Sequence, residues 1–249
     1  MSAPHSSCNG IPNTGRGIYN VWDPDLPPIN PHPVCDEFDL PFLHPKWIGV
    51  NLSSLTTYDV NKTVPDALYM QSAGISNTIV AAVQNAPAGD FTIYTKPSMA
   101  TVAGTTINVR LGLILSTNAA AGAGSQYTLG FTRSSNGDYL DTYPWTNFNS
   151  PGSGTASYPR QMNYLAIYRS GTNYYAGWSN DGKTWTWSSI SPGFTAAYFG
   201  LFINCYAATR SDYSFEFFRY FPSSQIAPPG GIWPGPASLG NWKSTLLMP

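Results

Sequence analysis

Apolar and polar positions alternate in short runs along most of the chain. In "INVRLGLIL", Ile107, Val109, Leu111, Leu113 and Leu115 fall on one side and Asn108, Arg110 and Gly112 on the other. This is the period of two produced by a strand with one buried and one open face. Runs of the same kind recur in "EFD", "KWIGV", "ALYMQ", "TIVAAV", "DFTIYTK", "QYTLGFTR", "YLAIYRS", "NYYAGWS", "TWTWSS", "YFGLFIN" and "YSFEFFRYF". About a dozen short strands separated by turn residues predict an all-β sandwich or barrel. No repeat at a solenoid or propeller period is present. Between two of the runs, "WSNDGKTWTW" places Asp181-Gly182 where a tight hairpin needs a residue at positive φ. A sialidase Asp box has one more residue between its Asp and Gly.

The prolines divide the chain into three parts. Residues 1–34 hold seven of the 22 and residues 222–249 hold six. Proline fixes φ and removes an amide donor, so both ends are expected to be extended arms flanking a β domain at 35–221. Trp22 and Ile29 in one arm, and Trp233, Trp242 and Leu246 in the other, are apolar anchors that plain disorder does not carry. They are expected either to wrap onto the domain or to dock on neighbouring subunits. Two further segments read as loops: 116–125, small and flexible, and 134–161, too long for an ordinary strand connection.

Composition narrows the function. Only 10% of the 249 residues are charged and the formal net charge is −1, so nucleic acid and anionic membrane surfaces are not expected partners. The low charge density suits a subunit packed against others, as in a homo-oligomer. The start "MSAPHSSCNG" lacks the basic and apolar regions of an export signal, and no run of 18 apolar residues occurs. Three cysteines form no closed set: Cys205 shares a strand face with Phe199, Leu201 and Ile203, and a Cys8–Cys35 bridge is an open alternative.

The runs "CDEFDLPFLHPKWIGVN", "APAGDFTIYTKP" and "YLAIYRSGTNYYAGWSNDGKTW", followed by "YFGLFIN" and "FEFFRY", give residues 35–221 a resemblance. They resemble the concanavalin A-like (laminin-G-like) β-sandwich domains that accompany many glycoside hydrolases and also occur in bacteriophage virion proteins. Asp36, Glu37, Phe38, Asp39, Leu43, Pro45 and Trp47 match the opening strand and turn. Asp90 and Phe91 match a strand start, and Ser179, Asp181, Gly182 and Trp185 match a hairpin. The resemblance implies a jelly-roll sandwich of antiparallel strands. With the arms, it implies a virion subunit in a capsid decoration, tail or fibre position, its partners being other virion subunits and a cell-surface glycan. The alternative is a stand-alone carbohydrate-binding module, and a third reading is a glycoside hydrolase.

Catalysis is the minority expectation. Hydrolysis of a glycoside needs two flanking carboxylates, and the spaced Glu-x-Asp-x-x-Glu set of related-fold glucanases is absent. Asp36, Glu37 and Asp39 belong to the opening strand, Glu216 is expected to pair with Arg219 or Arg210, and all three histidines precede residue 45. A non-enzymatic protein without a cofactor is therefore expected. One Ca2+ alternative rests on Asn136, Asp138 and Asp141, because Ca2+ takes clustered oxygen ligands; turn chemistry explains the same residues. Glycan binding needs aromatic faces beside amides or charges. The candidates are Tyr139, Asp141, Tyr143, Trp145 and Asn147 in the long segment, and Tyr174, Trp178, Trp185 and Trp187 around the hairpin.

Overall fold

A computed structural model of the chain describes residues 32–72, 78–103, 108–134, 137–151, 156–158, 162–206 and 210–222. The arm anchors Trp22, Ile29, Trp233, Trp242 and Leu246 lie outside these residues, as do Cys8 and Asn136. The described strands are β1 (Ile48–Val50), β2 (Thr57–Val60), β3 (Leu68–Ser72), β4 (Ile79–Asn85), β5 (Phe91–Ala103), β6 (Asn108–Ser116), β7 (Gln126–Ser134), β8 (Gly137–Asn147), β9 (Ser150–Pro151), β10 (Ala156–Tyr158), β11 (Tyr164–Ser170), β12 (Asn173–Ser179), β13 (Thr186–Ile190), β14 (Tyr198–Tyr206) and β15 (Arg210–Pro222), with one 3-10 turn at Leu52–Ser54. They form two antiparallel sheets. A seven-stranded sheet runs β13-β12-β11-β5-β15-β3-β2; an eight-stranded sheet runs β1-β4-β14-β6-β7-β8-β10, with β9 added beside β8.

The inner faces carry the alternation read from the sequence. Val109, Leu111, Leu113 and Leu115 of β6 and Phe199, Leu201 and Ile203 of β14 meet Phe91, Ile93, Leu165, Ile167, Phe215 and Phe218 of the other sheet. Each such side chain contributes about 1.5–3 kcal/mol relative to its exposed state. The register sets Cys205 opposite Val109. The second face of the eight-stranded sheet is less open than the alternation suggests. Val50, Ile79, Ala81, Val83, Ile114, Trp145, Phe148 and Phe202 form another buried cluster on it. Phe202 lies against bare backbone there: a Cβ on Gly130 would stand 2.9 Å from its ring.

The segment 134–161 differs from the expected long loop. Ser134 pairs with Gly137, so β7 and β8 form a hairpin, and β8 continues in register to Asn147. Its alternation of Tyr139, Asp141, Tyr143 and Trp145 is a strand pattern that the flanking Gly, Ser and Pro residues obscured. Pro144 pairs with Tyr127 of β7, and on its other side it falls between the residues of β8 that pair with β10 (140–142) and those that pair with β9 (145 and 147).

The opening Asp36–Asp39 segment also differs, being irregular backbone after one bridge residue and not a strand. Asp36 makes a single bridge with Phe218, and Phe38 leaves it at φ 54°. Its carboxylate accepts from Trp47 Nε1 at 2.8 Å and the Phe38 amide at 3.0 Å, and Lys46 Nζ stands 3.2 Å away. Glu37 holds Arg219 in a fork, with both bonds 2.9 Å long. Arg219 is 0% exposed and also donates to Tyr94 Oη at 3.2 Å. The expected Glu216 partners are thereby corrected, because Arg219 is committed to Glu37 and Arg210 faces Asp212. Glu216 pairs with Lys96 at 3.0 Å.

Glu37 thus neutralises a guanidinium that has no water to turn to. Glu37→Ala is expected to destabilise the fold by about 3–5 kcal/mol, the usual result of leaving one member of a buried pair alone. Urea unfolding measures it, and a loss under 1 kcal/mol, about what an exposed pair gives, would contradict the assignment.

Candidate glycan-binding site

Pleat parity sorts the aromatic candidates. Tyr139, Asp141, Tyr143 and Trp145 share the outer face of the eight-stranded sheet, whereas the hairpin group belongs to the seven-stranded sheet. The two groups do not make one site. Three of the tryptophans are also packed away. Trp145 is 2% exposed, with Nε1 3.3 Å from Thr128 Oγ1. Trp178 at 9% faces the main core, together with Tyr174, and Trp185 at 3% packs on Tyr94. Their faces are closed to a sugar, which corrects their candidacy. Asn147 accepts the Asn149 amide at 2.8 Å and shapes a turn.

The hairpin itself is held by Asp181. Its Oδ1 accepts the amides of Lys183 at 2.8 Å and Thr184 at 2.7 Å and the Ser179 hydroxyl at 3.0 Å, while Gly182 sits at φ 67°. Partial burial raises the carboxyl's proton affinity, but these donors together outweigh it and hold the group below its ordinary range. Trp187, half-buried, lies flat over Gly177, where a Cβ would meet the indole at 2.5 Å.

On the eight-stranded sheet, Asp141 is the centre of a clasp. It is 0% exposed, and its Oδ2 accepts Arg110 Nε at 3.0 Å. Arg110 reaches Asn204 Oδ1 at 3.4 Å and lies 4.9 Å from the centre of the Tyr143 ring. Burial pushes the Asp141 carboxyl up, against the pull of Arg110. The Thr132 hydroxyl lies close enough to favour its charged form but outside good hydrogen-bond geometry. Asp138 belongs to the other face of β8 and pairs with Arg133 at 3.0 and 3.3 Å. The two aspartates of the Ca2+ alternative therefore point to opposite sides of one strand. Among the described residues no group of three or more His, Cys, Asp or Glu side chains could hold a metal.

A cleft of about 390 Å³ lies at the mouth of the sandwich, between β5 and the β7–β8 hairpin. Met99, Leu111, Phe131, Leu140 and Met162 form its apolar wall, and Ser98, Thr132, Tyr139 and the Arg133–Asp138 pair form its rim. The Arg133 and Asp138 side chains are 39% and 35% exposed, so the rim faces water. Of the sequence candidates, Tyr139 and the Ca2+ candidate Asp138 line this cleft. Arg133 and the two methionines were missed: Arg133 ends an ordinary strand run, and Met99 and Met162 lie far apart in sequence with no motif around them.

No protein-family model and no curated protein matches the sequence. Solved structures do resemble the fold. A xylan β-1,4-xylosidase from Bacillus halodurans C-125 is 16% identical, with a TM-score of 0.50 over 78% of this chain and 40% of that one. The GH43 BlXynB protein from Bacillus licheniformis is 13% identical, with a TM-score of 0.53 over 79% and 40%. A bifunctional GH43-CE protein of Bacteroides eggerthii is 16% identical, with a TM-score of 0.54 over 78% and 26%. The chain thus spans less than half the length of each. At such identities the likeness defines a class of fold: an antiparallel β-sandwich of concanavalin A type, shared with carbohydrate-active proteins. The expectation of a non-enzymatic protein is corrected by this finding, since the sandwich occurs within glycoside hydrolases and the missing glucanase motif does not exclude their chemistry. The likeness gives no support to a phage context.

Asp141 supplies a pH test. A carboxyl whose folded pKa is raised stabilises the fold below its ordinary value of 3.8 and loses that contribution as pH rises through the folded value. Asp141→Asn is expected to remove this descending limb. In urea melts across that range the variant should therefore gain on the wild type as pH rises. Parallel curves would contradict the direction.

Proposed function

We propose that the chain is a carbohydrate-binding β-sandwich whose ligand enters the cleft between β5 and the β7–β8 hairpin. The observation that carries this reading is the pairing of an apolar wall with a rim holding both signs of charge. A sugar presents C–H faces to the first and hydroxyls to the second, with Asp138 accepting and Arg133 donating. The volume of about 390 Å³ lies in the range of small-molecule sites. Because Arg133 and Asp138 neutralise each other, a neutral sugar fits better than a uronate. Xylo-oligosaccharides are the first probes, since a xylan-active enzyme shares the fold.

A second reading, glycoside hydrolysis, is favoured by the occurrence of this sandwich within glycoside hydrolases. Release of reducing sugar from xylo-oligosaccharides supports it. The virion reading depends on arms outside the described residues, and copurification with particles is its test.

For the binding reading, Arg133→Ala removes a rim donor and Met162→Trp fills the cleft. Each is expected to weaken xylo-oligosaccharide binding about tenfold or more by calorimetry, equivalent to about 1.4 kcal/mol. Unchanged affinity in both variants would remove the cleft from the account.

A further inference from the structure

Strand register arranges the cleft in two tiers. Leu111 of β6, Phe131 of β7 and Leu140 of β8 stand opposite one another in one cross-strand row on the inner face of the eight-stranded sheet. The next row of the same parity towards the mouth is Val109, Arg133 and Asp138. Residues two apart on a strand are separated by about 7 Å, so the charged pair stands one pleat outside the apolar row. Pro97 and Met99 of β5, and Met162 just before β11, close the cleft from the side of the other sheet. Leu111 and Leu140 are enclosed, while Met99, Phe131 and Met162 are only partly buried.

The deeper tier is not made like a platform for a bare oligosaccharide. Sugar rings lie on flat aromatic faces, whereas of Pro97, Met99, Leu111, Phe131, Leu140 and Met162 only Phe131 is an aromatic ring. Methionine side chains conform instead to a flexible apolar group. We propose, on the reading of this cleft as a carbohydrate site, that its ligand is a neutral glycoside with an alkyl aglycone. A sugar held at the rim by Arg133 and Asp138 reaches only the near edge of the wall. The alkyl chain extends the contact one pleat deeper, against Met99, Phe131 and Met162.

The rim selects the head group. Arg133 donates to both carboxylate oxygens of Asp138, at 3.0 and 3.3 Å, so the pair carries no net charge. A fatty-acid carboxylate drawn to Arg133 meets the Asp138 carboxylate as well, and an alkylammonium drawn to Asp138 meets Arg133. Sugar hydroxyls suffer neither repulsion, because they donate to one member of the pair and accept from the other. A simple alcohol fills the deeper tier equally well but offers the rim a single hydroxyl.

Calorimetry of the full chain with methyl, butyl and hexyl thio-β-xylopyranosides, whose sulfur link resists hydrolysis, tests this. Affinity is expected to rise by up to about fourfold for each methylene that enters the wall. The hexyl xyloside is expected to bind more tightly than hexanol or hexanoate. In Met162→Gln, which sets an amide in the wall, the rise with chain length should flatten. Equal affinity across the series, with xylohexaose still bound, would overturn the aglycone and leave the carbohydrate site standing. Failure of xylohexaose and of every xyloside to bind would remove both. Hexanol or hexanoate binding as tightly as the hexyl xyloside would overturn the sugar head group.

Discussion

Burial of one apolar face of each sheet against the other is the interaction on which the remaining structure depends. Pleating sends every second residue of β6, β14, β5 and β15 into that interface, and a slip of one residue would exchange core for surface along a whole strand. With the inner faces fixed, the outer faces are fixed too. Arg110, Thr132, Asp141 and Asn204 stand on the outside of the eight-stranded sheet because Leu111, Phe131, Leu140 and Ile203 stand inside. The row Asn204–Arg110–Thr132–Tyr139 is a direct consequence of strand register.

The cleft arises where that packing ends. Leu111 and Leu140 are fully enclosed, whereas Met99, Phe131 and Met162 pack on the core only in part. The Arg133–Asp138 pair sits across the two strands at this point. The hairpin therefore gives the opening a charged edge while its floor remains core-like. A sugar needs this contrast, and a uniformly polar loop would not provide it.

Sequence reading recovered the strands whose alternation is uninterrupted, such as β6, β7, β11, β12 and β14. It missed β8 because Pro144 and the nearby glycines imitate loop chemistry, although the strand's own alternation from Tyr139 to Trp145 was present. It overstated the open face of β6 because Ile114, on the Arg110 side, packs under Phe202 and Trp145. Aromatic residues were the least legible. Whether a tryptophan meets water or core depends on which sheet face is covered, and no local spacing encodes that. Tyr139 was identified, while Met99, Met162 and Arg133 converge only through pairing of strands distant in sequence.

The central claim, that this mouth receives a carbohydrate, is most directly tested by methyl NMR of methionine-labelled protein titrated with xylohexaose. Met99 and Met162 line the cleft, and Met70 is buried in the core as an internal control. The account predicts saturable shifts of the Met99 and Met162 methyl signals with Met70 unmoved. Saturable binding that leaves both cleft methyls unmoved would contradict it.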